Sequence, residues 1–162
     1  MKDNCACHTD RTGCDEVQEF MALMGKIMHP PAQPTDEQLR GKRCWLYARV
    51  AGRPDDEHAI LALESQLDRL RRFANEHEMQ VAGTTQEAAA GCSMDNRPGL
   101  LELRRAAVNN EMDYVLARCL DRLIRSPGIR DYLQYEEELL GLGVGILCTD
   151  DWPHNPNTEE NQ

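Results

Sequence analysis

From Arg43 onward the apolar positions change period repeatedly along the chain. Cys44 to Val50 is a strand candidate. Pro54-Asp55-Asp56-Glu57 then supplies an acidic start that suits the positive end of a helix dipole. Ile60, Leu63, Leu67, Leu70 and Ala74 recur at steps of three and four, which predicts an amphipathic helix over residues 55–77. A second strand is expected at Met79 to Thr85, and Glu87 to Asn96 reads as a loop of small and polar residues. Pro98 fits the first turn of a helix that runs to about Asn110, with Leu100, Leu103 and Ala107 as its apolar face. A third strand is expected over residues 113–120, a helix over 129–142 and a fourth strand over 144–149. Gly141 and Gly143 punctuate the last turn.

Strands alternating with helices predict an α/β fold: an open, mostly parallel sheet of four to five strands with helices on both faces. The flanks read differently. Val17, Phe20, Met21, Met24 and Met28 share one helical face, and the run His29 to Pro34 then forms a stiff, proline-rich linker. Residues 1–41 are therefore expected to be a flexible extension, 42–150 the folded domain, and 151–162 a polar, disordered tail.

Charge changes the picture of partners. The chain carries a net charge of −10, spread as −3 over residues 1–41, −4 over 42–150 and −3 over 151–162. Such a chain is repelled by nucleic acid overall, yet a local arginine cluster can still hold one phosphate. The seven cysteines are odd in number and follow no disulfide framework, which points to a reducing cytoplasm. No apolar run approaches the length of a membrane span, and no membrane partner is expected.

Open parallel sheets place their sites beyond the carboxyl ends of the strands. The first strand ends at Arg49-Val50-Ala51-Gly52, the second leads towards Arg97, and the third ends at Leu120-Asp121-Arg122-Leu123-Ile124-Arg125. Four arginines and an aspartate would thus converge on one edge. A guanidinium stays charged at physiological pH, and its fork matches phosphate oxygens. Convergent arginines are what a phosphoryl-transfer site needs when no metal carboxylates are at hand. The plain alternative is that Arg97 only starts a helix while Arg122 and Arg125 are solvated surface.

At these residues the chain resembles the serine recombinases of the resolvase/invertase family. Tyr47-Ala48-Arg49-Val50 resembles their opening strand, usually Tyr-x-Arg-Val-Ser. Glu64-Ser65-Gln66-Leu67 resembles their Gln-Leu helix pattern, and Gly91 to Leu100 the loop that closes in Arg-Pro-Gly-Leu. Leu120 to Arg125 resembles the Leu-Asp-Arg-Leu-x-Arg box, and Leu142-Gly143-Val144 precedes the last strand as in that family. In the family a serine hydroxyl attacks a DNA phosphodiester, giving a 5′-phosphoserine linkage and a free 3′-hydroxyl, and strand exchange follows. The resemblance implies that Arg49, Arg97, Arg122 and Arg125 contact the scissile phosphate, that Asp121 orients arginines or shuttles a proton, and that Gln66 helps to hold the site. It implies no cofactor.

Three departures matter. Ala51 stands at the serine position and offers no nucleophile. Ser65, Ser93 and Ser126 are poorly placed to replace it. Ile124 fills a position that is often small in the arginine box. No helix-turn-helix or zinc ribbon is legible after the catalytic-type region. The expectation is a cleavage-deficient recombinase fold that keeps an arginine phosphate site, binds DNA weakly and non-covalently, and pairs with recombinase subunits or its own copies. A regulatory or dimerisation module acting on active recombinases, a mobile-element remnant, and a small-molecule or phosphate binder are the alternatives. Cys5, Cys7, His8 and Cys14 carry zinc-ligand chemistry, but their spacing is poor for a structural site. Neither a P-loop nor a full dinucleotide-binding pattern is present.

Overall fold

Three strand–helix–strand crossovers build the molecule. The elements run α1 (Asp36–Leu39), β1 (Arg43–Val50), α2 (Glu57–Glu76), β2 (Gln80–Ala88), α3 (Pro98–Val108), β3 (Tyr114–Ala117), α4 (Leu120–Leu123), α5 (Ile129–Gly141) and β4 (Gly145–Cys148), then a 3-10 turn at Thr149–Asp151. This computed structural model describes residues 17–18, 21, 32–88, 97–123 and 129–152. The chain divides into two units, Met1–Gln33 and Pro34–Gln162. In the first, Val17 and Met21 are helical and exposed.

The sheet is four-stranded, in the order β2-β1-β3-β4, and every pairing is parallel. β1 to β2 steps one way across the sheet; β2 to β3 and β3 to β4 step the other way. Right-handed crossovers then put α2 on one face and α3 and α5 on the other. Side chains of β1 divide accordingly. Cys44, Leu46, Ala48 and Val50 pack with Leu63, Leu67, Leu70 and Phe73 of α2. Trp45 and Tyr47 pack with Leu100 and Leu103 of α3 and Tyr135 and Leu139 of α5. Gly83 is required by this second layer, because a Cβ there would lie 2.4 Å from the Trp45 ring.

Several segments depart from the sequence reading. β2 continues to Ala88, so Glu87 is a buried strand residue and not part of a loop. β3 ends at Ala117, and Leu120–Leu123 is a separate helical turn. α1 was not expected; the Gln38 side chain accepts from the Thr35 N–H at 2.9 Å, and Leu39 is fully buried in the α2-side core. His77 caps the carboxyl end of α2. Its ring packs on Phe73 and Trp152, with centroids 4.2 and 5.1 Å away, and its Nδ1 lies 2.9 Å from Asp36. Asp151 and Trp152, read from sequence as the start of the tail, are the last residue and the C-cap of the 3-10 turn after β4, and Trp152 meets Phe73 edge-on at 5.2 Å. No described helix is long and apolar enough to cross a membrane.

Candidate functional site

The strand order reverses direction between β1 and β3, and in such sheets the crevice at the carboxyl ends of those two strands is where ligands sit. β3 accompanies β1 only over Cys44–Leu46. Beyond that point the Gln66 carboxamide takes the place of a neighbouring strand. Its Oε1 accepts from the Arg49 N–H at 3.3 Å, and its Nε2 donates to the Arg49 carbonyl at 3.1 Å. Gln66 is 5% exposed and Arg49 1%. α2 thereby holds the end of β1 in extended form, just before Ala51, which is exposed.

On the other face Arg97 caps the start of α3 and turns inward, 2% exposed. Its Nε donates to Glu87 Oε2 at 3.0 Å, one terminal nitrogen to the Leu123 carbonyl at 2.7 Å, and the other to the Arg122 carbonyl at 3.3 Å and to the Tyr47 hydroxyl. The Tyr47 hydroxyl in turn donates to Glu87 Oε2 at 2.6 Å, and the Gly99 N–H to Glu87 Oε1 at 3.4 Å. Burial, with the Glu87 hydrogen bond, pushes the Tyr47 phenol well above its ordinary range and keeps it a donor. The guanidinium thus ties β2, β1 and the carboxyl end of α4 into one buried unit. Arg97 donates to two carbonyls that the short helix cannot satisfy, those of Arg122 and Leu123.

α4 therefore presents its residues from a braced platform. Arg122 is half-buried, and its Nε is buried without an acceptor among the described residues. The backbone of Asp121 belongs to α4; its side chain, and the whole of Arg125, lie outside the described residues. So do Ser93, Ser126, and the zinc candidates Cys5, Cys7, His8 and Cys14. Ser65 is exposed on α2. The structure thus joins Arg49 to Gln66 and Arg97 to Arg122. Tyr47 and Glu87, which the sequence reading did not assign to the site, hold Arg97, and Glu87 also stands opposite Arg49 in the β1–β2 register. The signal available for Tyr47 was its position two residues before Arg49, on the same face of β1. No His/Cys/Asp/Glu group suited to a metal occurs among the described residues.

The family described as "Resolvase, N terminal domain" matches residues 44–162. The chain belongs to the resolvase family of serine recombinases. No curated protein matches it in sequence. Among solved structures it is similar to the C-terminal catalytic domain of ISC1926 TnpA, an IS607-like serine recombinase. The identity is 29% and the TM-score 0.56, over 66% of this chain and 70% of that one. It is also similar to the N-terminal catalytic domain of TP901-1 integrase, with 25% identity, a TM-score of 0.57 and coverage of 68% and 78%. A serine recombinase from Sulfolobus solfataricus gives 25% identity and a TM-score of 0.54, with coverage of 71% and 72%. The family to which this domain belongs acts in site-specific recombination.

Proposed function

We propose that this chain is a serine-recombinase domain that engages DNA phosphates without cleaving the strand. One observation carries the reading: β1 ends in a clamped Arg49 and then an exposed methyl group, Ala51, at the edge where the family's serine would attack. A methyl group cannot form a phosphoester, so the covalent step has no starting point. In this reading Arg49, Arg122 and Arg125 face one phosphate, with Asp121 orienting them. Gln66 fixes the Arg49 backbone. Arg97 contributes from within, by bracing α4 against β1 and β2, since its donors are spent on Glu87, Tyr47 and two carbonyls.

The test uses a suicide duplex whose cleaved strand cannot be religated. No denaturation-resistant protein–DNA adduct is expected from the native chain. Ala51→Ser, fused to a DNA-binding module of known site, is expected to form one. An adduct from the unaltered chain would show a different nucleophile and end the proposal.

A second reading rests on the outer face of α3. Leu101 is 55% and Val108 62% exposed there, seven residues apart on one side of the helix. These residues favour a module that pairs with active recombinase subunits. Co-purification with a tagged active recombinase, lost in Leu101→Lys, is the outcome expected of it.

A further inference from the structure

A second pair of guanidinium groups stands beside the site, and neither was singled out by the sequence. Arg118 directly follows β3, at the strand end that flanks the β1/β3 crevice. Arg69 lies on α2, one turn beyond Gln66, the residue that clamps Arg49. Asp150 of the 3-10 turn sits between them. Its carboxylate accepts from Arg118 Nε at 3.1 Å and from an Arg118 terminal nitrogen at 2.9 Å, and it lies 3.8 Å from Arg69. The Asp150 N–H also donates to the Arg118 carbonyl at 2.8 Å, so the carboxylate is held in place by backbone as well as side chain.

Three features separate this cluster from an ordinary surface ion pair. The fork geometry matters first: Nε and a terminal nitrogen of one guanidinium converge on one carboxylate, as they would on a phosphate. Asp150 is shared between two cations, Arg118 at 2.9 Å and Arg69 at 3.8 Å. And it stays wet: the side chains of Arg118, Asp150 and Arg69 are 31%, 27% and 50% exposed. An ion pair this solvated is cheaply exchanged for another anion.

We infer that Arg118 and Arg69 form a second subsite for a DNA backbone phosphate, which Asp150 occupies as a built-in competitor. The inference rests on the DNA-engaging reading above and deepens it. Arg118 stands at the carboxyl end of β3, which borders the β1/β3 crevice, and meets α2 through Asp150 and Arg69. Asp150 must leave the fork before the second phosphate can enter, so the intact chain binds duplex weakly. Removing the carboxylate should open the subsite.

The test is fluorescence anisotropy of the full chain with a labelled 30-base-pair duplex, titrated across salt concentrations. Circular dichroism confirms that each variant folds. Asp150→Asn is expected to bind about tenfold more tightly at low salt, with a slope of log K against log[salt] steeper by about 0.9, the value for one added phosphate contact. Glu76→Gln makes the same change in net charge on an exposed residue away from the cluster, and should leave both values near those of the native chain. Arg118→Ala alone should change little, because Asp150 already fills that fork, but it should abolish the gain when combined with Asp150→Asn. The inference is overturned if Asp150→Asn gains nothing, gains no more than Glu76→Gln, or keeps its gain without Arg118. It is equally overturned if millimolar inorganic phosphate protects Asp150→Asn from heating while duplex affinity is unchanged. Arg122→Ala separates the two readings. Loss of native duplex binding there with no Asp150→Asn effect sinks only the second subsite, whereas unchanged binding in Arg122→Ala sinks the parent reading.

Discussion

Glu87 shows how much one residue decides. It is 6% exposed and accepts from Arg97, Tyr47 and the Gly99 N–H. A buried carboxylate is tolerated only when its partners replace water, and here all of them do. Removing it strands a buried guanidinium. Glu87→Leu is therefore expected to lower unfolding stability by about 3–5 kcal/mol. The double variant Glu87→Leu/Arg97→Met should recover much of that loss, because an apolar pair leaves no charge uncompensated. Urea denaturation of the two variants checks this, and equal losses in both would show that the pair is not coupled. Arg97 itself was legible from its Arg-Pro-Gly-Leu context. Its inward direction was not, because the acceptors lie on β1, β2 and α4, between 10 and 50 residues away.

At the scale of elements, the alternation of strands and helices was legible because each helix has one buried face. α2 shows this best: Leu63, Leu67, Leu70 and Ala74 are buried at the expected spacing. Ile60, placed on the same stripe, is 43% exposed, because its neighbour Ala59, 6% exposed, takes the core-facing position in that turn. The carboxyl end of β2 was read as loop because its strand character comes from pairing with β1 and from the Glu87 network, not from apolar side chains. The starts of β1 and β3 are joined by Arg43 and Asp113. The Asp113 carboxylate accepts from the Arg43 N–H at 2.8 Å and from its guanidinium at 2.9 Å. The Arg43 side-chain hydrogen bond, chiefly, holds the Asp113 carboxyl below its ordinary range. A depressed carboxyl contributes stability above its unfolded pKa of about 3.9 and loses it as pH falls through the folded value. The native chain should accordingly lose stability below about pH 4 more steeply than Asp113→Asn. Thermal melts across pH 2.5–6 measure the difference, and superimposable acid limbs would remove Asp113 from the account.

For the whole molecule, charge and topology pull in opposite directions. A net charge of −10 opposes any approach to DNA, while the reversal of strand order opens a crevice at the carboxyl ends of β1 and β3, the strands that lead to Arg49 and Arg118. Long-range repulsion is screened beyond about 8 Å at physiological salt, whereas contacts inside a crevice are screened much less. Duplex binding by the native chain should therefore be weak, and its log–log salt slope shallow, near −0.9 for one neutralised phosphate. Filter binding from 20 to 200 mM salt tests it. A slope of several units would mean a broad basic surface that the sequence does not supply.

Sequence alone determined the βα alternation, the run of strands and the order of the arginine-bearing segments, because these depend on residues near one another in the chain. Tertiary structure decided the rest. It turned Arg97 inward to two carbonyls, bound Glu87 and Tyr47 to that guanidinium, and set Asp150 between Arg118 and Arg69. Those outcomes depend on which donors and acceptors meet across the sheet once water is excluded, and no local pattern records such pairings.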